Sequence, residues 1–253
     1  MLGKMLSSPW LNRFSGRPAR SSRFTRASRP VIKKRGMAAI GVGGILFALV
    51  AASPASAQAV VAEGRPRLSP AKADFQGQAA SPDARELVHW VVASSDNFDL
   101  PFMVIDKLRA KVFVFDRRGK LLGAAPSLLG LGRGDESVPG IGRRRLATMT
   151  PEERTTPAGR FEAALGHDFE QDILWVDYSS ALSLHRVITG NPAERRHQRL
   201  ESPTPLDNRI SYGCINVPAK FYDTIVRPAF AGKVGIVYIL PETKLLKEVF
   251  GLR

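Results

Sequence analysis

Cys214 is the only cysteine in the sequence, and it sits in the stretch Ser211-Tyr212-Gly213-Cys214-Ile215-Asn216. A lone cysteine has no intrachain partner for a disulfide, so it is either a small buried hydrophobe or a working thiol. A working thiol needs a base near the sulfur and donors aimed at the oxyanion that forms when it attacks a carbonyl. Gly213 allows close backbone approach, and successive amides around Gly213-Cys214 can form an anion nest. A helix expected to begin shortly after Cys214 would add partial positive charge near the sulfur and lower the thiol pKa. These features suit acyl transfer through a thioester, without identifying the acyl group.

The base must come from one of four histidines: His89, His167, His185 and His197. His89 lies beside Trp90 in an expected helix and reads as a packing or surface residue. His167 follows Gly166 in an expected loop. His197 belongs to Ala193-Glu194-Arg195-Arg196-His197, a charged stretch that reads as a solvated face. His185 closes an apolar strand, where a side chain is held firmly and can be aimed. It is therefore the expected base, with His197 as the alternative.

The elements that must position these groups are mostly strands. Ser81-Pro82-Asp83 starts a helix with proline in its first turn, and Leu87, Val88, Trp90 and Val91 share its apolar face through to about Ser94. Phe102-Met103-Val104-Ile105-Asp106 and Lys111-Val112-Phe113-Val114-Phe115 are short apolar runs. With Leu121-Leu122-Gly123-Ala124 after the Gly119 turn, the second run reads as a hairpin. The five glycines from Gly130 to Gly142 lack the Gly-Lys-Ser/Thr ending of a phosphate loop, so they read as a connector or a substrate-facing loop. Further strands are expected after Thr156-Pro157-Ala158-Gly159-Arg160-Phe161, at Ile173-Leu174-Trp175-Val176-Asp177, across Ala181 to Val187, and from Val234 to Leu240. A helix is expected from Pro218 to about Val226. The expected fold is mainly β with a few helices (α+β), mixed and mostly antiparallel.

The formal charge of +14 is concentrated at the N-terminus: residues 1–36 hold ten Lys or Arg and no acid. From residue 58 onward 27 basic residues face 23 acidic ones, which excludes a nucleic-acid footprint on the folded part. Residues 37–52 are apolar, and Ser53-Pro54-Ala55-Ser56-Ala57 offers the small residues of a cleavage site. The run is short for a bilayer span of about 20 residues, so cleavage after Ala57 is expected, with a membrane contact only through an uncleaved leader. The organisation read is a signal peptide over 1–57, a linker over 58–80, an N-terminal helix region over 81–98, a catalytic domain over 99–241 and a C-terminal tail over 242–253.

The hexapeptide around Cys214 resembles the signature of the L,D-transpeptidase catalytic domain (YkuD type), with Tyr212 where that family usually has histidine. The opening hairpin, Thr156-Pro157-Ala158-Gly159-Arg160-Phe161, Leu184-His185 and the closing helix and strand follow in the family's order. The resemblance implies a β-sandwich of the L,D-transpeptidase type in an exported protein of the periplasm or cell envelope. It implies that Cys214 attacks a peptidoglycan stem-peptide carbonyl and that His185 acts as its base. The amides of Tyr212, Gly213 and Cys214 would hold the oxyanion, with Ser211 and Asn216 as motif residues. No metal or organic cofactor is implied. Between His185 and Ser211 lie 25 residues, longer than the signature's spacing, which reads as a loop inserted over the cleft. Of the arginines around it, Arg209 is expected to reach a substrate carboxylate, and most read as solvated basic surface. An L,D-carboxypeptidase or other hydrolase on the same scaffold, and a non-catalytic cell-wall binding module, are the alternative readings.

Overall fold

Short runs of Val, Ile and Phe broken by glycine turns fold as the strands their composition favours. The computed structural model describes residues 73–168 and 171–252, so the expected leader and most of the expected linker lie outside the described residues. The strands are β1 (Phe102–Asp106), β2 (Lys111–Phe115), β3 (Leu121–Pro126), β4 (Leu129–Gly130), β5 (Gly159–Asp168), β6 (Gln171–Asp177), β7 (Leu182–Arg186), β8 (Arg209–Ser211), β9 (Ile215–Val217) and β10 (Gly235–Ile239). Among the described residues, eight of them form one sheet in the order β3-β2-β1-β10-β5-β6-β7-β9, and β4 pairs with β8. Within that sheet β1/β10 and β7/β9 are parallel and the other pairs antiparallel. Leu128, just past β3, exchanges backbone hydrogen bonds of 2.8 and 2.9 Å with Asn216 of β9. The two ends of the sheet are thereby joined, and it is nearly closed. The mainly β, mostly antiparallel expectation holds.

Alternation along the strands divides two cores. Met103, Ile105, Val112, Val114, Val237 and Ile239 face inward with Leu174, Leu184, Ile215 and Val217. They pack on a helical segment made of α3 (Ala219–Phe221), a π turn (Tyr222–Val226) and α4 (Arg227–Phe230). The π turn falls where Pro228, lacking an N–H, cannot bond the carbonyl four residues back. The helix therefore continues four residues beyond its expected end.

Phe102, Val104, Phe113, Phe115 and Tyr238 face outward against the helix α1 (Pro82–Ser94). Ser81 caps α1 by accepting the Ala84 N–H at 3.1 Å, and Ala84, Leu87, Val88 and Val91 form its buried stripe. Burying each of Leu87, Val88 and Val91 contributes about 1.5–3 kcal/mol. Phe75 lies edge-on to Phe113 and Phe115 at 5.3 Å, so the last residues of the expected linker belong to this core. Because both faces of β1 and β2 are covered, their sequences run apolar without alternation.

A buried charge network ties these layers to the loops. Lys107, which directly follows β1, is 1% exposed. Its Nζ donates to Asp135 Oδ1 at 2.7 Å, Gly134 O at 2.6 Å and Thr156 O at 2.9 Å, and lies 3.6 Å from Glu242 Oε1. The buried Glu242 carboxylate accepts from Arg209 Nη2 at 2.5 Å and the Gly134 N–H at 2.9 Å. Asp135 accepts the Glu242, Thr243 and Lys244 N–H groups at 2.8 Å and the Thr243 hydroxyl at 2.6 Å. Burial alone would raise the Asp135 pKa, but hydrogen bonds from Lys107, Thr243 and the backbone outweigh it and hold the carboxyl well below its ordinary value. Arg209, expected at a substrate carboxylate, pairs here with the buried Glu242, and residues 242–253, read as a C-terminal tail, carry Glu242 and the helix at Leu246–Phe250.

Breaking such a network leaves an unpaired buried charge, which costs about 3–5 kcal/mol. Glu242→Ala is therefore expected to lower unfolding stability in urea by that amount at neutral pH, while Lys244→Ala, which removes an exposed pair with Glu136, leaves it essentially unchanged. The Asp135 contribution is complete above its unfolded pKa of 3.8 and is lost as the pH falls below that value, so acid unfolding should steepen there.

Candidate active site

β7 presents two different faces. Leu182 and Leu184 point into the core, while Ser183 and His185, one pleat apart, share the opposite face. β9 runs parallel to β7 with Leu184 beside Ile215 and His185 beside Asn216, which sets Cys214 at the mouth of β9 next to both polar residues. His185 is buried, and its Nδ1 lies 2.7 Å from Arg186 O. A carbonyl oxygen only accepts, so Nδ1 carries the hydrogen and Nε2 is left as the basic nitrogen. His185 lies near enough to the Cys214 thiol to lower its pKa. Ser183 Oγ donates to Cys214 Sγ at 3.5 Å, and Sγ lies 3.5 Å from Ala181 O.

Burial would push the Cys214 thiol up. The hydrogen bond and charge of His185, joined by donors from Ser183, outweigh burial and bring its pKa below the ordinary value. The expected helix dipole has no part in this. Cys214 is followed by the three residues of β9, about 10 Å of extended chain, before α3 begins. Asp168, at the end of β5, is near enough for the positive charge of His185 to oppose the burial that raises its carboxyl.

The turn carrying Cys214 is braced from inside and outside. Ser211 Oγ accepts the Gly213 N–H at 3.1 Å and donates to Cys214 O at 2.6 Å. Gly213 has φ +128°, and a Cβ there would come within 2.8 Å of Thr155 O, so glycine is required on both counts. Thr156 Oγ1 donates to Gly213 O at 2.7 Å and accepts the Gly130 N–H at 2.9 Å. Gly130 in turn has no room for a Cβ, which would lie 2.2 Å from Arg154 O. The glycine-rich segment is thus a close-packed brace at this point. A cavity of about 260 Å³, lined by Leu131, Gly132, Arg133, Pro151 and Glu152, opens beside it, and none of the residues around Sγ lines it.

The insertion between His185 and Ser211 is built on the site. It contains α2 (Arg196–Glu201), whose Arg196 donates from Nη1 to Asn216 Oδ1 at 2.8 Å. Asn216 Nδ2 donates to Cys214 O at 3.2 Å, so the inserted segment reaches the nucleophile's own carbonyl through two side chains. Arg199 bonds Glu194 O and Asp207 O within the insertion. Tyr212 is 36% exposed, with the Arg154 guanidinium 4.1 Å above its ring.

Of the residues expected at the site, Cys214, His185, Ser211, Gly213 and Asn216 come together. His89, His167 and His197 are all exposed, with His197 on the insertion helix. Gly213 contributes differently from expectation, because its N–H is engaged by Ser211. Ser183, Thr156 and Arg196 were missed. Period-two alternation back from His185 would have flagged Ser183 as the polar residue on the histidine's face.

No family model matches the chain, and no curated protein matches it either. Among solved structures it is similar to the helical cell shape determining protein Pgp2 from Campylobacter jejuni, at 12% identity over 58% of this chain and 49% of that one, with a TM-score of 0.38. It is also similar to an Enterococcus faecium L,D-transpeptidase mutant, at 12% identity over 55% of this chain and 49% of that one, TM-score 0.30. An L,D-transpeptidase from Xylanimonas cellulosilytica gives 13% identity over 55% and 60%, TM-score 0.34. The chain spans about half the length of the first two.

A thiol held by an imidazole alkylates at lower pH than a free one. The rate of Cys214 alkylation by iodoacetamide is expected to reach half-maximum below the range of a free thiol. His185→Ala should move that midpoint up and slow the reaction at neutral pH, whereas His197→Ala leaves both unchanged; the opposite pattern would make His197 the base.

Proposed function

We propose that the protein is an exported cysteine acyltransferase of the L,D-transpeptidase type, acting on peptidoglycan stem peptides through a Cys214 thioester. The observation that carries this reading is the juxtaposition of Cys214 and His185 on the paired ends of β9 and β7, with the His185 tautomer set by Arg186 O and the thiol pKa lowered by His185. Nucleophile, base and orienting acceptor are the three parts such chemistry needs.

In the first step the Cys214 thiolate attacks the stem-peptide carbonyl carbon, and the carbonyl oxygen takes the negative charge. The amides of Tyr212 and Cys214 stabilise that oxyanion, since the Gly213 N–H is committed to Ser211 Oγ. As the C–N bond breaks, protonated His185 gives its Nε2 proton to the departing amine, leaving a thioester and neutral imidazole. An acceptor amine then attacks the thioester and yields a proton to Nε2. The C–S bond breaks, and the thiolate–imidazolium pair is restored. Holding Nδ1–H on Arg186 O keeps the ring from turning between the two proton transfers.

Incubation with a carbapenem or a stem-peptide donor is expected to add the mass of the acyl group to Cys214, seen by intact-protein mass spectrometry. The adduct should vanish in Cys214→Ala and fall sharply in His185→Ala. Failure to acylate with either reagent would sink the enzyme reading in favour of a binding module. A donor converted to free acid even with excess amine acceptor would assign a hydrolase. Tyr212→His should still acylate, because the base lies on β7 and Tyr212 is held outward by Arg154.

A further inference from the structure

Ser183 Oγ of β7 and Ala181 O of the turn before it each lie 3.5 Å from the Cys214 sulfur, and His185 shares the Ser183 face of β7. Ser183 is wholly buried, and its hydroxyl points at Sγ from 3.5 Å. A buried serine in a strand otherwise made of Leu, His and Arg needs a partner for its hydroxyl. The sulfur is the acceptor the structure provides.

We infer that Ser183 is a catalytic residue in its own right, a second donor that holds the Cys214 thiolate from the same strand face as His185. The inference deepens the proposed thiol chemistry and rests on Cys214 being the nucleophile. A neutral thiol accepts weakly, whereas a thiolate is a strong acceptor for an O–H, so the Ser183 bond tightens when the sulfur loses its proton. It weakens again when the sulfur is acylated and its charge is gone. Ser183 thus acts on the resting nucleophile and on the sulfur as a leaving group in deacylation, without exchanging a proton itself. The other charged and titratable groups facing this centre are His185 on β7, Asp168 on β5, whose charge acts on His185, and Arg196 of α2, which reaches Cys214 O through Asn216.

The test is the pH dependence of Cys214 alkylation by iodoacetamide, which needs no substrate. Ser183→Ala, Ser183→Thr and Ser183→Val are compared with the parent chain, and thermal melts confirm that each is folded. Thr and Val have nearly the same shape and differ in the hydroxyl alone. A lost hydrogen bond to a charged group predicts alkylation about three- to tenfold slower at neutral pH for Ser183→Ala and Ser183→Val, with the midpoint moved up. Ser183→Thr should restore both toward the parent values. Equal behaviour of Thr and Val, or an unshifted midpoint in a folded Ser183→Ala, overturns the inference. If packing prevents both β-branched variants from folding, the Ser183→Ala midpoint decides alone. Alkylation that follows these expectations alongside a failed carbapenem reaction would reject the acyltransferase reading and leave the role of Ser183 standing.

Discussion

Four buried charges hold the framework on which the Cys214 turn depends. Lys107, Asp135, Glu242 and Arg209 come from the end of β1, the glycine-rich loop, the chain after β10 and the start of β8. Removing any one would strand its neighbours in a medium that cannot solvate them, so the four segments must assemble together. Two lines run from this network to the thiol. Along one, Arg209 opens the strand that ends at Ser211, the hydroxyl that braces the Cys214 turn. Along the other, Lys107 holds Thr156 O while the Thr156 hydroxyl holds Gly213 O.

The site itself rests on a division of labour within β7. Residues on one face fill the core and fix the strand, and residues on the other have no packing duty and can be polar. Arg186, on the core side, ion-pairs with Asp172 and Asp223 and so fastens the strand end to β6 and to the helical segment. The same residue's carbonyl sets the His185 tautomer. Strand position and proton position are therefore fixed by one residue, through its side chain and its backbone respectively.

Much of this was legible in the residues, where the controlling forces were local. The apolar runs marked the strands, and Ser81-Pro82 marked the start of α1. The parts that were misread depend on distant partners. A basic residue two positions before Ser211 suggested substrate contact, and only the folding of Glu242 back onto β8 shows why Arg209 is buried. The polar stretch before α1 hid Phe75 because one aromatic in a Gly-, Ala- and Gln-rich segment carries no periodicity. The helix after Cys214 begins at Ala219, one residue from its expected start, but β9 before it went unread, since three residues are too short a run to stand out as a strand. Ser183 looked like an ordinary interruption of an apolar strand until register brought the sulfur beside it.

The bridge between Leu128 and Asn216 bears on how a peptide can be held here. Both backbone groups of Asn216 are taken by Leu128, while β9 pairs with β7 on its other side. An extended substrate cannot dock by adding itself as a further strand at that position, a common way for proteins to grip peptides of unspecified sequence. Beside Cys214 a bound peptide would meet side chains and the few amides of the turn, groups suited to reading chemical substituents and offering little grip on a bare main chain.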